Sequence, residues 1–591
     1  MSKKLLISTN IEKNYLKIKN FSNCYFLGYW CISDKFYKKK INKKTFNYEK
    51  NIWSNYRIQN KDYKYLNYLI NRCCRILPKF FNKFHGTNFN QKYWKNFYFL
   101  WLTYYIPFQY YRWKVVNTAI KKNKNLFFLN FYIKNNFTPL DTIGFYNSAT
   151  QSHLFNYYHF KRIIIFFKDK IQIKNVNKHI NFNENKINES NQKKYFIFHF
   201  FIKKINFLLK IIIIIITQRN KILIHGGFRK IHYIFINILL KQFPLFLDKV
   251  FNWYEIRDKF ILQKINIQKR YFMVSKSHVK NLFEEYIFNN IFKDIPYCYL
   301  EQYENLNLEA NKINLKPDAV ISFYYHMHNE LFKFWLFNKN STKSFYAACH
   351  GGVHQKRSNI FNYERLISKK YLDWIREKNN KINLPISKYI FLNRKRSQSI
   401  YLLYVAQEIE EFPCRISHGP TTLDLLPTEE NLSFLMKNLD YKIKNKFFYS
   451  PLLAKIKKQN IRINEIIGEN KFLQNNSFPK YLCKSKIVIC SYPNTTFIDS
   501  LITGPTILVC DLKSWEPLDQ LKPAYKLLIK SNIIFSDIAK ATYHINYVWN
   551  DIHTWWNTPD TKKAVNLFLR EFNLSYKQPI GTWVNFLKKA K

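Results

Sequence analysis

The sequence predicts an α/β protein of two doubly wound domains facing a cleft, and three observations carry that expectation. Short apolar runs rich in β-branched residues recur, each followed by a turn and a helical pattern, as parallel strands buried on both faces require. The stretch from Lys484 to Asp511 reads as a complete strand–helix–strand unit. At 591 residues the chain exceeds one compact core.

Taken in order, Leu5 to Ser8 and Cys24 to Leu27 read as strands, the second running into Gly28-Tyr29-Trp30-Cys31. Apolar residues recur at helical spacing from Asp62 to about Leu77 and from Tyr93 to Ile120, with Trp94, Trp101 and Trp113 as core. Asn125 to Tyr132 is a further strand, and residues 169–195, rich in Asn and Lys, read as a loop or insertion. Lys221 to His225 is a strand emptying into Gly226-Gly227, followed by an apolar helix up to Pro244. Pro317 to Ser322 leads to Tyr324-Tyr-His326-Met-His328-Asn329-Glu330 and a helix through Trp335. Ser344 to Ala348 empties into Cys349-His350-Gly351-Gly352, and strands recur at Tyr389 to Phe391 and Ile400 to Val405. A boundary near 380–390 divides the chain into domains of 1–385 and 386–591.

The closing unit holds the donor-side candidates. Ile487 to Cys490 is a buried strand, broken by Ser491, Pro493 and Asn494. Thr495 and Thr496 open a helix whose free N–H groups and dipole suit a phosphate, and Asp499, one turn on, suits a ribose. Gly504 fits a left-handed helix end, Pro505 forbids continuation, and Thr506 to Val509 is the second strand.

Composition bounds the partners. A net charge of +56 suggests an anionic surface, but Lys, Asn, Ile, Phe and Tyr abound together while Gly, Pro and Ala are scarce. That is the signature of A/T-rich codons, so loose affinity without nucleic-acid specificity is expected. Against such drift, two adjacent pairs among 11 glycines stand out, and both follow a histidine. Ten cysteines without C-x-x-C spacing argue against a zinc or disulfide scaffold, and no cleavable signal pattern opens the chain. A reduced cytosol is the expected home. Ile211 to Ile216 is too short to span a membrane.

His350, just past a strand end, suits a general base; a structural histidine held by backbone is the alternative. His354 lies four residues on, but no acidic third ligand has matching spacing, so no metal is expected there; His326 and His328 would share a strand face as a second, weaker metal candidate, though such residues more often line a cleft or loop. Glu330 starts a helix, where a carboxylate is favourable; Glu364 suits a substrate hydroxyl or a cation; Arg415 suits a pyrophosphate.

With these residues in order, the chain resembles a family of transferases from bacterial lipopolysaccharide O-antigen and surface-carbohydrate gene clusters. The resemblance rests on Phe26-Leu-Gly-Tyr-Trp-Cys31, Arg112-Trp113, Tyr299-Leu-Glu301, His326 through Glu330, and His350-Gly-Gly352. It continues through Glu364, Asp373-Trp374, Cys490 through Asp499, Pro505-Thr-Ile507 and Ala539 through Trp556. The chain departs from the pattern at Val353 to Arg357, at Ile375 after Trp374, and at Asp499, where glutamate is usual. The resemblance implies a GT-B-like glycosyltransferase with two Rossmann-like domains, the N-terminal one on the acceptor side and the C-terminal one holding a nucleotide sugar.

On that resemblance the chain is expected to move a sugar from a nucleotide-activated donor, which is substrate rather than cofactor, to a lipid-linked or polysaccharide acceptor. His350 would act as base with Glu364 positioning. Gly351, Gly352, His326, Glu330, Arg415, Ser491, Thr495, Thr496 and Asp499 would bind substrates. Work in the cytoplasm, at the inner face of an anionic membrane, is expected. The alternatives are a polyol-phosphate transferase or nucleotide-sugar epimerase of the same fold, or a non-catalytic basic envelope-assembly or nucleic-acid-binding module.

Overall fold

The structure, a computed structural model, describes residues 3–12, 23–31, 49, 51–133, 137–179, 221–244, 250–257, 265–338, 344–352, 359–376, 383–389, 396, 400–406, 410–416, 425–451, 463–473, 478–574 and 577–590. His354 and Ile211 to Ile216 lie outside the described residues, as do residues 180–195.

The strands form three sheets in which every ladder is parallel, so the α/β class holds with more sheets than expected. The first comprises β1 (Lys4–Ile7), β2 (Cys24–Phe26), β3 (Leu126–Tyr132) and β4 (Gln172–His179), ordered β2-β1-β3-β4. β4 corrects the reading of residues 169–195 as loop. Its own composition is poor in apolar residues, and it is a strand because it zips onto β3 from Phe127↔Gln172 onward.

The second sheet comprises β5 (Ile222–His225), β6 (Ala319–Ser322), β7 (Phe345–Ala348) and β8 (Lys370–Leu372) in sequential order. The third comprises β9 (Tyr401–Val405), β10 (Phe447–Ser450), β11 (Ser485–Cys490), β12 (Thr506–Val509) and β13 (Ile534–Phe535), ordered β10-β9-β11-β12-β13. Its order reverses between β9 and β11, and ligands of open α/β sheets bind beyond the carboxyl ends at such a point. Tyr389 belongs to a 3-10 turn, Ser387–Tyr389, and not to the expected strand; residues 390–391 lie outside the described residues.

Two long helices pass between the sheets. α1 (Tyr56–His85), capped by Asn55, runs on past Leu77, where the expected helix ended, and through Pro78. Ile76, Phe80, Phe81 and Phe84 are buried on both sides of the proline, and that packing outweighs the lost hydrogen bond. α2 (Gln91–Lys122) is buried round most of its circumference, with Trp94 and Trp101 fully enclosed. α3 (Lys230–Leu239), α4 (Tyr325–His328), α5 (Glu330–Asn338), α6 (Asn359–Ile367), α7 (Thr495–Thr503) and α8 (Pro559–Arg570) flank the second and third sheets. The last helix, α9 (Pro579–Lys589), packs on the second sheet through Ile580, Trp583, Val584 and Leu587. Trp583 Nε1 donates to the Pro385 carbonyl at 2.8 Å. Among the described residues no helix is long and apolar enough to cross a membrane.

Candidate functional site

The register of the second sheet sets Ser322 beside both His225 and Ala347, so the segments leaving β5, β6 and β7 emerge side by side. They carry His225, the pair His326 and His328, and His350. Gly226 and Gly227 both adopt φ near +75°, and a Cβ on Gly227 would run into the Phe323 ring. Trp374 Nε1 donates to the Cys349 carbonyl at 2.9 Å and anchors the loop after β7.

His326 and His328 do not share a strand face. They lie on the short helix α4, where a spacing of two turns the side chains apart: His326 is fully buried and His328 is exposed. Ser322 Oγ accepts the Tyr325 amide at 3.0 Å and lies 3.1 Å from His326 Nδ1. With the Ser322 hydrogen directed to Nδ1, His326 Nε2–H donates to Glu364 Oε1 at 3.0 Å. Glu364, on α6, is fully buried. Burial pushes its carboxyl up to about 8, with Asp373 adding to the rise and His350 opposing it.

His350 contacts solvent, yet protein surrounds it closely. Burial lowers its pKa below the ordinary histidine value, and Glu364 works against that shift. Its ring bonds to the Phe323 carbonyl, so one nitrogen carries the hydrogen and the other offers a lone pair. Burial likewise lowers His326 to about 3, and His328, which contacts solvent as His350 does, is lowered to about 4 by the protein packed around it. His326, His328 and His350 are therefore neutral at neutral pH.

The turn after β11 is in contact with the loop that carries His350. Asn494, not a threonine, caps α7: its side-chain oxygen accepts from Thr496 N at 3.0 Å and from the Thr496 hydroxyl at 2.6 Å. The Thr496 hydrogen is therefore already engaged. Thr495 Oγ1 accepts the Gly352 N–H at 2.7 Å, and its own hydrogen donates to no group among the described residues. A Cβ on Gly352 would lie 2.6 Å from Ile498 Cδ1 and 3.1 Å from Thr495 N and Cα. The second glycine pair thus permits close approach of one backbone to another, which joins the His350 loop to the α7 N-terminus. Gly504 ends α7 at φ +153°, an extended conformation reserved for glycine, and not at the left-handed helical value expected.

The remaining candidates are placed as follows. Ser491 is hydrogen-bonded to the Val405 carbonyl through its amide at 3.1 Å and its hydroxyl at 3.3 Å, between β9 and β11. Asp499 forms an ion pair with Lys388 at 2.7 Å; the lysine is half exposed. Sequence reasoning missed Lys388, since the pairing spans 111 residues. It also passed over Asn494 as the cap, although asparagine favours that position and a helical run follows it. Arg415 is held by Glu410 and Tyr146, which neutralises it away from any free anion site. Glu330 lies in a buried network with Lys333 at 2.8 Å and Tyr299 at 2.9 Å, so it stabilises the fold. Among the described residues no group of three His, Cys, Asp or Glu is arranged to hold a metal ion.

Comparison with curated proteins finds no match to this chain. A family model described as LIC12162 family transferase matches residues 4–587, nearly the whole length. The chain belongs to the LIC12162 family of transferases.

Proposed function

We propose that the chain is a glycosyltransferase that moves a sugar from a nucleotide-activated donor to a surface-polysaccharide or lipopolysaccharide acceptor. The observation that carries this reading is the 2.7 Å bond from Gly352 N–H to Thr495 Oγ1. It brings a base-bearing strand end of one parallel sheet against a helix N-terminus at the switch point of another. His350 takes the proton of the acceptor hydroxyl on its free ring nitrogen as that oxygen bonds the anomeric carbon. The bond from that carbon to the nucleoside diphosphate breaks, and the electron pair leaves on phosphate. Thr495, through its hydroxyl hydrogen, and the α7 dipole hold that charge, with Lys388 as a nearby cation. Residues 386–591 supply this donor side. Glu364, hydrogen-bonded to His326 and close enough to His350 to act on its charge, offsets the imidazolium once its carboxylate forms.

The reading is tested by calorimetric titration with a panel of nucleotides and nucleotide sugars. At least one nucleotide sugar should bind, Thr495→Val should weaken it, and His350→Ala should keep affinity while turnover is lost. A folded protein that binds none of the panel would defeat the proposal.

A further inference from the structure

The outward face of α3 is apolar where a surface helix is ordinarily polar. Ile231, Ile234, Phe235, Ile238 and Leu239 are all exposed, Ile231 at 71% and Ile238 at 59%. The opposite face, His232, Tyr233, Ile236 and Asn237, is buried, and α9 packs nearby on the same sheet. The exposed residues follow helical spacing and form one continuous stripe. Exposed Arg229 and Lys230 stand at one end of the helix and exposed Lys241 at the other. No Asp or Glu occurs between Glu189 and Asp248, and the last turn of α9 adds Lys588 and Lys589, both exposed.

We infer that this face of α3 lies in the headgroup boundary of an anionic bilayer. An apolar stripe bordered by cations, without carboxylates, is the pattern of a helix resting in a membrane interface. Charge selects this occupant over a second copy of the chain, because two molecules each carrying +56 repel one another. α3 follows directly on His225-Gly226-Gly227, so the docked face sits beside the histidine-lined edge of the second sheet. The inference deepens the proposed function by setting a lipid-linked acceptor next to the proposed site, and it rests on that reading only for this placement.

The test is flotation of the full-length protein with phosphatidylcholine vesicles, with and without phosphatidylglycerol, at physiological salt. The parent should float with the anionic vesicles only. The variant Ile231→Asn/Ile234→Asn/Phe235→Asn/Ile238→Asn should lose at least about tenfold in partitioning. Its melting temperature and nucleotide-sugar affinity should be unchanged, because the four side chains are already exposed and lie outside the proposed donor site. Arg229→Gln/Lys230→Gln should weaken binding and reduce its salt dependence. Equal flotation of parent and asparagine variant would show that net charge alone draws the protein to lipid, and would overturn the inference. A vesicle-independent dimer that the asparagine variant abolishes would assign the face to a second copy and overturn it equally. Nucleotide-sugar titration of the same samples reports on the glycosyltransferase reading separately, so the two can fail independently.

Discussion

Replacing Gly352 by alanine puts a methyl group where the loop after β7 touches α7. The added Cβ would stand 2.6 Å from Ile498 Cδ1 and 3.1 Å from the backbone N and Cα of Thr495. The backbone of α7 cannot rotate aside, so the loop after β7 must lift, and the 2.7 Å bond to Thr495 Oγ1 breaks. Overpacking of this kind costs about 1–3 kcal/mol. Loss of the hydrogen bond adds about 0.5–1.5 kcal/mol. Gly351→Ala is the built-in control, since its Cβ meets only the Thr495 side-chain oxygen, at 3.2 Å, and that side chain can turn. It should cost under about 1 kcal/mol. Urea unfolding followed by circular dichroism measures both variants, with turnover assayed beside it. Gly352→Ala should lower the midpoint clearly and reduce turnover, while Gly351→Ala stays near the parent. If the two variants behave alike, or Gly352→Ala is neutral, the loop does not rest on α7 and the shared site is lost.

Glu364, held at about 8 by burial, should govern the pH profile of turnover: the rate should rise through about pH 8 as its carboxylate forms and supports the His350 imidazolium, and Glu364→Gln should remove that inflection. In the folded protein this carboxyl keeps a proton that the unfolded chain has already released, so its contribution to stability is full below about pH 4.5 and fades as pH rises to about 8; thermal melts of parent and Glu364→Gln across that window check the sign. Asn494→Ala removes the α7 cap and should cost about 0.5–2 kcal/mol in urea unfolding, whereas Thr496→Val, which leaves the cap's bond to the Thr496 amide, should cost less.

Much of the local architecture was legible along the chain. The apolar run from Ile487 to Cys490, the turn residues after it and Gly504 before Pro505 specify strand, turn, helix and stop within 28 consecutive positions, because period and backbone preference are properties of neighbours. His350 ahead of two glycines was visible for the same reason. Other features depend on which distant segments meet. β4 is a strand only through its ladder with β3, and helix α1 crosses Pro78 only because aromatic packing surrounds it. His326 and His328 look equivalent in a strand pattern, but on a helix their spacing of two is about half a turn and sends them in opposite directions. The ion pair between Lys388 and Asp499, and the bond between Gly352 and Thr495, join residues more than a hundred positions apart. Nothing in either local sequence names its partner; close packing of the second sheet's strand ends against α7 does, since only there does the absence of a Cβ let the two backbones meet.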